Sequence, residues 1–401
     1  MADPIAFFSR QVVLLTGATG HLGACLLYKL TLVLGASQVY VLIRTQPEDA
    51  IAKWKALMPA DAEALVGLIR SKNIIFLQGD MVRSDLGLTA ATKRQLAERV
   101  SIVINAAADI SLKATLRDTV VRNCQSALEL ARLASDFPRL LAFVQVSSLF
   151  ALSFLRDGPV REELHPIPNA ERVYRDILAG TNEDWEGYAW PYARSKHLME
   201  CLLTQRYARL PLILLRPSSI GPAIAQPFEM YGHTPSIPIN NLYARLMAPN
   251  PGTSVFHATQ GSRSGTNVLD EIPVDLVADV LLQHVQRGSR GPIHAGAHIY
   301  IPRQFDQVIT DAKRYVPPQW RAKMTTVVFS TDPESRECQL ARFYRVSTRG
   351  WTFCVDKSAS LDRAGPLGLD VPGHDGEAFT ERRVREIFRR TVGCDCGNSK
   401  L

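Results

Sequence analysis

Between Gln11 and about Leu215, short runs of β-branched and aliphatic residues alternate with longer stretches whose apolar positions recur at helical spacing. The runs predict strands at Val12 to Thr16, Val39 to Arg44, Ile74 to Gly79, Ile102 to Ala106, Leu141 to Ser147 and Leu212 to Arg216. Between them lie predicted helices such as Leu22 to Leu34 and Thr119 to Ala134, the second carrying Val120, Leu128, Ala131 and Leu133 at roughly helical spacing. Such alternation calls for a parallel sheet with crossover helices, which makes the chain an α/β protein with a doubly wound, Rossmann-type sheet. The pattern changes between about 223 and 266, where Pro227, Phe228, Tyr231, Gly232, Pro235 and Pro238 surround one short helical segment at Leu242 to Leu246. That composition suits a lid over a substrate better than a sheet strand. A helix resumes from Ile272 to Val285, and beyond about Ala295 the pattern is irregular and rich in charge. The expected division is therefore 1–295 for the sheet domain with its lid, and 296–401 for a small, mostly helical second domain.

The turn after the first strand reads Thr16-Gly17-Ala18-Thr19-Gly20-His21-Leu22-Gly23 and leads directly into a helix. Glycines at 17, 20 and 23 permit a tight turn, close approach to a pyrophosphate and close helix packing, while the helix amino terminus offers free N–H groups to the anion. A dinucleotide site is expected here, with Gly17, Thr19, Gly20, His21, Leu22 and Gly23 as its cofactor-binding residues. The second strand ends at Arg44 rather than at the Asp or Glu that usually holds the ribose hydroxyls of NAD. Its guanidinium suits a 2′-phosphate, so NADPH is the expected cofactor. Asp80 and Met81 after the third strand, and Ala106 and Ala107 after the fourth, are expected near the adenine and the riboses, or else serve only as strand-end structure. Pro217 and Ile220, leaving the sixth strand, are expected to wall the nicotinamide.

Tyr192 and Lys196 stand four residues apart, one helical turn, on one face. A cation beside a phenol stabilises the phenolate, so the pair is expected to act as a proton donor and acceptor, with Lys196 also holding the nicotinamide ribose. Pro191 suits the first turn of that helix, and Glu200 is expected to pair with Lys196 or Arg194. Ser148, after the fifth strand, is the hydroxyl expected to hold a developing oxyanion, in preference to its neighbour Ser147.

Taken in this order, the elements resemble the extended short-chain dehydrogenase/reductase superfamily. Within it the chain is similar to fatty acyl-CoA reductases of the male-sterility type and to thioester reductase domains. The resemblance lies in Phe7-Phe8, Thr16 to Gly23, Val39 to Arg44, Tyr192 to Glu200, Arg216 to Phe228 and Asp270 to Asp275, and covers about the first 290 residues. His21 stands where the family usually has an aromatic residue, and Ser148 where its reductases often have threonine. Ala341 to Tyr344 and Trp351 to Phe353 resemble the family's second domain loosely. The resemblance implies that NADPH reduces an acyl-CoA or other acyl thioester to an aldehyde and on to a primary alcohol. Carrier-protein thioester reductases, hydroxysteroid dehydrogenases, nucleotide-sugar epimerases and a catalytically idle NADP-binding regulator are the competing readings. Joint presence of Ser148, Tyr192 and Lys196 argues against the last.

Charge and composition narrow the field further. The net charge of +7 favours phosphorylated partners, but no Lys-rich stripe interleaved with aromatics points to nucleic acid. No run of apolar residues is long enough to span a membrane, and the first ten residues predict neither secretion nor mitochondrial import. Seven scattered cysteines suggest neither a disulfide framework nor a metal site, although Cys394 and Cys396 lie close together near the end of the chain. Thr380 to Thr391 reads as a basic amphipathic helix, either touching lipid or coenzyme A phosphates, or docked by its apolar stripe with a solvated basic face. Ser399-Lys400-Leu401 reads as an address for the peroxisomal import receptor, and a peroxisomal location is expected.

Overall fold

Seven parallel strands form the central sheet of the computed structural model, which describes residues 3–59, 62–232, 236–257, 265–332, 334–343 and 346–393. Their order across the sheet is Gly291–Ala295, Leu212–Pro217, Ala142–Val146, Ile102–Asn105, Val12–Thr16, Gln38–Ile43 and Ile74–Gln78. The chain enters at Val12–Thr16, builds outward to one edge, then returns and builds toward the other. The crevice beyond the carboxyl ends of Val12–Thr16 and Ile102–Asn105 is therefore the topological switch point, where ligands of such sheets bind. Alternate residues of the buried strands face two different cores. Val13 and Leu15 pack with the Gly23–Leu27 helix and with Val277 and Leu281 on one side, whereas Leu14, Val103 and Phe143 pack with Leu128, Leu198 and Leu202 on the other.

The strand at Gly291–Ala295 was not expected, and the reason is Pro292. Proline cannot donate to a ladder, which argues against a central strand. Here the strand is at the sheet edge with a single neighbour, Leu212–Pro217, so one face of its backbone needs no partner.

The segment expected to be a lid holds a helix, Pro238–Met247, and a strand, Gly252–His257, that pairs in parallel with Thr325–Ser330. Leu242, Leu246 and Phe256 share a core with Phe305, Val308 and Met324, and with Val384 and Ile387 of the helix Gly376–Gly393. Residues after 295 also reach the sheet itself. Leu361, Leu367 and Phe379 join its core, and Trp351–Phe353 pairs with Gly158–Val160.

The basic helix Gly376–Gly393 is docked by its apolar stripe, and its basic face is less solvated than expected. Arg383 is buried, bonding Glu271 through two nitrogens at 2.6 and 2.7 Å and Asn240 at 2.6 Å. Among the described residues no helix is long and apolar enough to cross a membrane. Cys394, Cys396 and the Ser399, Lys400 and Leu401 tripeptide lie outside the described residues.

One buried ion pair ties the site helix to the sheet. Glu200, on the helix Pro191–Arg206, bonds Arg216 of the strand Leu212–Pro217 at 2.6 Å, with the two side chains 1% and 0% exposed. Arg216 also donates to the Glu163 carbonyl at 2.9 Å. Glu200→Gln leaves that guanidinium buried without its counter-charge, so the variant should lose about 3–5 kcal/mol of stability, read from the urea unfolding midpoint. A loss under about 1 kcal/mol contradicts this accounting.

Candidate active site

At the switch point the glycine turn is forced by close contacts. Gly17 has φ +73°, and a Cβ there would stand 2.6 Å from the Ala106 carbonyl carbon and the Ala107 nitrogen. A Cβ on Gly23 would stand 2.0 Å from the Gly17 carbonyl oxygen, so the helix could not approach the turn with any side chain at that position. Gly20 differs, since a Cβ there would meet only the Gly17 oxygen, at 3.4 Å. It heads the helix His21–Tyr28 without a capping side chain, so that the first-turn N–H groups face the crevice uncapped. The turn is pinned from behind by the buried Trp54, whose Nε1 donates to the Ala18 carbonyl at 2.9 Å. Thr16 Oγ1 donates to Asn105 Oδ1 at 2.5 Å and accepts from the Ala107 N–H at 3.3 Å, joining the first and fourth strand ends.

The expected cofactor residues divide by what their side chains do. Thr19 and Gly20 border open space, whereas Leu22 belongs to the core and can offer only its backbone. His21 turns its ring to Tyr231, with Nε2 3.4 Å from the Tyr231 carbonyl oxygen and the Tyr231 hydroxyl donating to the His21 carbonyl at 2.9 Å. Burial pushes that imidazole down to about 4, so it is neutral at physiological pH and brings no charge to an anion. Arg44 is exposed just past the strand Gln38–Ile43. The Asp80 carboxylate accepts from the Val82 N–H at 3.2 Å within its own turn, and Met81 packs on the second core. Pro217 is buried at the end of its strand, while Ile220 is in the short strand Ser219–Gly221, paired in parallel with Glu271–Pro273.

The three expected catalytic side chains come together at the carboxyl end of Ala142–Val146. Ser148 is buried, accepts from the Phe150 N–H at 3.2 Å and shares a hydrogen bond with the Tyr192 phenol. Pro191 opens the helix Pro191–Arg206, placing Tyr192 in its first turn and Lys196 one turn on. Lys196 Nζ is 5.8 Å from the centre of the Tyr192 ring and donates to the Val146 carbonyl at 3.0 Å.

Electrostatically the pair departs from expectation. Burial drives the Tyr192 phenol well above its ordinary pKa, and the hydrogen bond with Ser148 opposes this only in part. Lys196 does not bring the phenol toward neutrality. The lysine is itself perturbed, its ammonium lowered to about 8 by burial while the charge of Glu200 pulls the other way. Tyr192 thus keeps its proton at neutral pH, as a donor requires. Glu200 pairs with neither Lys196 nor Arg194, because Arg216 holds it; Arg194 instead lies 3.5 Å from Asp184.

Asn123 is a site residue that sequence reasoning missed. The helix expected from Thr119 to Ala134 begins with a wide π-type turn, Val120–Gln125, before the regular helix Ser126–Ala134. Asn123 in that turn accepts from the Asp109 N–H at 2.8 Å, donates to the Asp109 carbonyl at 2.9 Å and reaches Ser195 Oγ at 3.5 Å. It therefore ties the loop after the fourth strand to the helix of Tyr192 and Lys196. No motif flags a lone asparagine inside an apolar helical pattern.

Trp190 and Pro191, the two residues before Tyr192, line a cavity of about 920 Å³ together with Trp185, Thr253, Val255 and the segment 336–339. Its size suits a small-molecule ligand.

The two glycines of the turn should separate folding from binding. Gly20→Ala should cost less than about 1 kcal/mol of stability, the difference between the two residues at a helix cap, yet weaken dinucleotide binding by about tenfold through blocked approach. Gly23→Ala should lose both stability and binding. Calorimetric titration with NADPH, alongside thermal melts, checks this, and equal behaviour of the two variants would contradict it.

Comparison with known proteins agrees with this geometry. The family model described as male sterility protein matches residues 15–281. Fatty acyl-CoA reductase 1 of Gallus gallus is 27% identical over 290 residues, 69% of this chain and 54% of that protein. Fatty acyl-CoA reductase wat of Drosophila melanogaster is 26% identical over 299 residues, with the same two shares. The chain spans about half the length of these curated relatives. Among solved structures, the terminal R domain from the myxalamid PKS-NRPS biosynthetic pathway superposes with a TM-score of 0.67 at 18% identity, over 96% of this chain and 91% of that one. The R domain of a Mycobacterium tuberculosis non-ribosomal peptide synthetase gives 0.60 at 19% identity, over 98% and 96%. These two likenesses show the shared fold. With its family model matched from the first strand through the helix Val274–Gln286, and with the parallel sheet that model entails, the chain belongs to the male sterility protein family, within the extended short-chain dehydrogenase/reductase fold.

Proposed function

We propose that this chain reduces an acyl thioester with NADPH, fatty acyl-CoA being its substrate class. The observation that carries the reading is the meeting of Ser148, Tyr192 and Lys196 at the carboxyl end of Ala142–Val146, with Trp190 and Pro191, the two residues before Tyr192, lining the 920 Å³ cavity. The curated relatives are named fatty acyl-CoA reductases, which supports the acyl substrate.

The glycine turn fits a dinucleotide because Gly17 and Gly23 leave no room for a Cβ while Gly20 does. Gly20 and the first-turn N–H groups would hold the pyrophosphate, Lys196 the nicotinamide ribose, and Arg44 the 2′-phosphate that distinguishes NADPH. Bound there, the nicotinamide supplies hydride to the thioester carbonyl carbon. The Ser148 hydroxyl, beside the Tyr192 phenol, would steady the carbonyl oxygen by a hydrogen bond as charge builds on it, without giving up its proton. Tyr192, protonated at neutral pH, donates to the same oxygen. The resulting hemithioacetal then expels coenzyme A as a thiol and leaves an aldehyde. A second NADPH would supply hydride to the aldehyde carbon, and the same proton donation from Tyr192 would then give the primary alcohol.

Tyr192→Phe removes the donated proton and nothing that holds the dinucleotide. Turnover of palmitoyl-CoA, followed by NADPH oxidation, should fall by about 10²–10⁴-fold, with NADPH affinity by fluorescence titration unchanged. Near-normal turnover in this variant would refute the assignment. So would a wild-type protein that oxidises NADPH with a sugar nucleotide or a ketosteroid and with no thioester.

A further inference from the structure

The cavity lined by Trp190 and Pro191, just before Tyr192, combines apolar and aromatic side chains with three exposed cations at its rim. Lys113 belongs to the loop that follows the strand Ile102–Asn105, whereas Arg336 and Arg342 come from the segment packed on Gly252–His257, so separate parts of the chain supply the charges. All three are exposed, and among the described residues none of them forms an ion pair. Glu337, the acidic residue of the lining, is directed at His257, accepting from its N–H at 3.4 Å with Nδ1 3.9 Å away. The excess positive charge at the rim is therefore not neutralised by the lining itself. Trp185, Trp190, Pro191 and Val255 give the lining apolar and aromatic surface, and Trp190 and Pro191 directly precede Tyr192 in the chain.

A ligand matched to this arrangement carries its reacting carbonyl on an apolar arm and several negative charges at the far end. We propose that Lys113, Arg336 and Arg342 form a phosphate clamp for the nucleotide end of a coenzyme A thioester, which selects free acyl-CoA over acyl groups on shorter or protein-borne arms. This rests on the thioester reading above. Coenzyme A presents a diphosphate and a ribose phosphate, enough for three separate cations, whereas the arm of a carrier protein presents one phosphodiester. Arginine binds phosphate through two nitrogens at once, and lysine acts as a point charge. Because the three groups face water, salt should weaken the clamp.

Calorimetry on the protein saturated with NADP+, so that the dinucleotide site is filled, separates the clamp from the cofactor. Coenzyme A should bind about tenfold or more tightly than pantetheine, which has no phosphate, and 0.5 M NaCl should shrink the difference. In Arg336→Gln/Arg342→Gln that preference should fall about tenfold, while Arg290→Gln, at the opposite end of the sheet, leaves it intact. With the wild type, KM should be lower for palmitoyl-CoA than for palmitoyl-pantetheine and for palmitoyl-carrier protein. Equal binding of coenzyme A and pantetheine, an unchanged preference in the double variant, or a lower KM for the carrier-protein thioester would each overturn the clamp. Clamp-dependent binding of coenzyme A without turnover of any thioester would instead defeat the proposed reaction and leave the clamp standing.

Discussion

A buried ammonium without a carboxylate of its own is the constraint on which the site depends. Lys196 is shut away from water behind the strand Ala142–Val146, and its nearest acid, Glu200 one turn along the same helix, is committed to Arg216. Had Glu200 closed on Lys196, the cation would be neutralised where it stands. Instead the lysine keeps a single weak anchor, the Val146 carbonyl at 3.0 Å, and two of its three protons remain available for a ribose or a phenol. Burial lowers its pKa to about 8, which leaves it mostly charged at neutral pH and easily unseated from that charge.

The same buried pair explains how distant parts of the chain converge. Arg216 holds Glu200, reaches the Glu163 carbonyl and stands 3.3 Å from His294, so the site helix, the loop after Gly158–Val160 and the edge strand meet at one guanidinium. Burial and that guanidinium push His294 down to about 3, so the imidazole remains neutral beside it, its Nδ1 2.8 Å from the Cys354 carbonyl oxygen. Trp351 and Phe353 pack with Leu149 and Leu152, directly behind Ser148. The late part of the chain therefore braces the Ser148 side of the candidate site while also contributing to the lining of the cavity.

Much of this was legible in the sequence because it is written locally. Six sheet strands declare themselves as β-branched runs, and the glycine turn declares itself by spacing. Features that depend on distant partners were hidden. Gly252–His257 and Thr325–Ser330 each look unremarkable until they pair across nearly seventy residues of intervening chain. Glu200 had Lys196 at helical spacing and Arg194 earlier on the same helix, yet its true partner lies across the core on a strand, since a fully buried carboxylate needs the guanidinium that fits it bidentately. The effect of Lys196 on Tyr192 was misjudged for the same reason. Spacing shows which groups are near, whereas the sign and size of a pKa shift come from how much protein surrounds them.

The protonation of Lys196 is the most direct test of this account. A nitrogen-15 NMR titration of its side-chain amine, assigned by comparison with Lys196→Arg, should show the ammonium losing its proton near pH 8 in the free protein. Below that pH the charge is present, and it is lost as pH rises through the folded value, about two units before an exposed lysine would lose it. A midpoint at the ordinary lysine value, about 10.4, would mean the amine is solvated or paired with an acid and would contradict the buried cation without a carboxylate of its own described above.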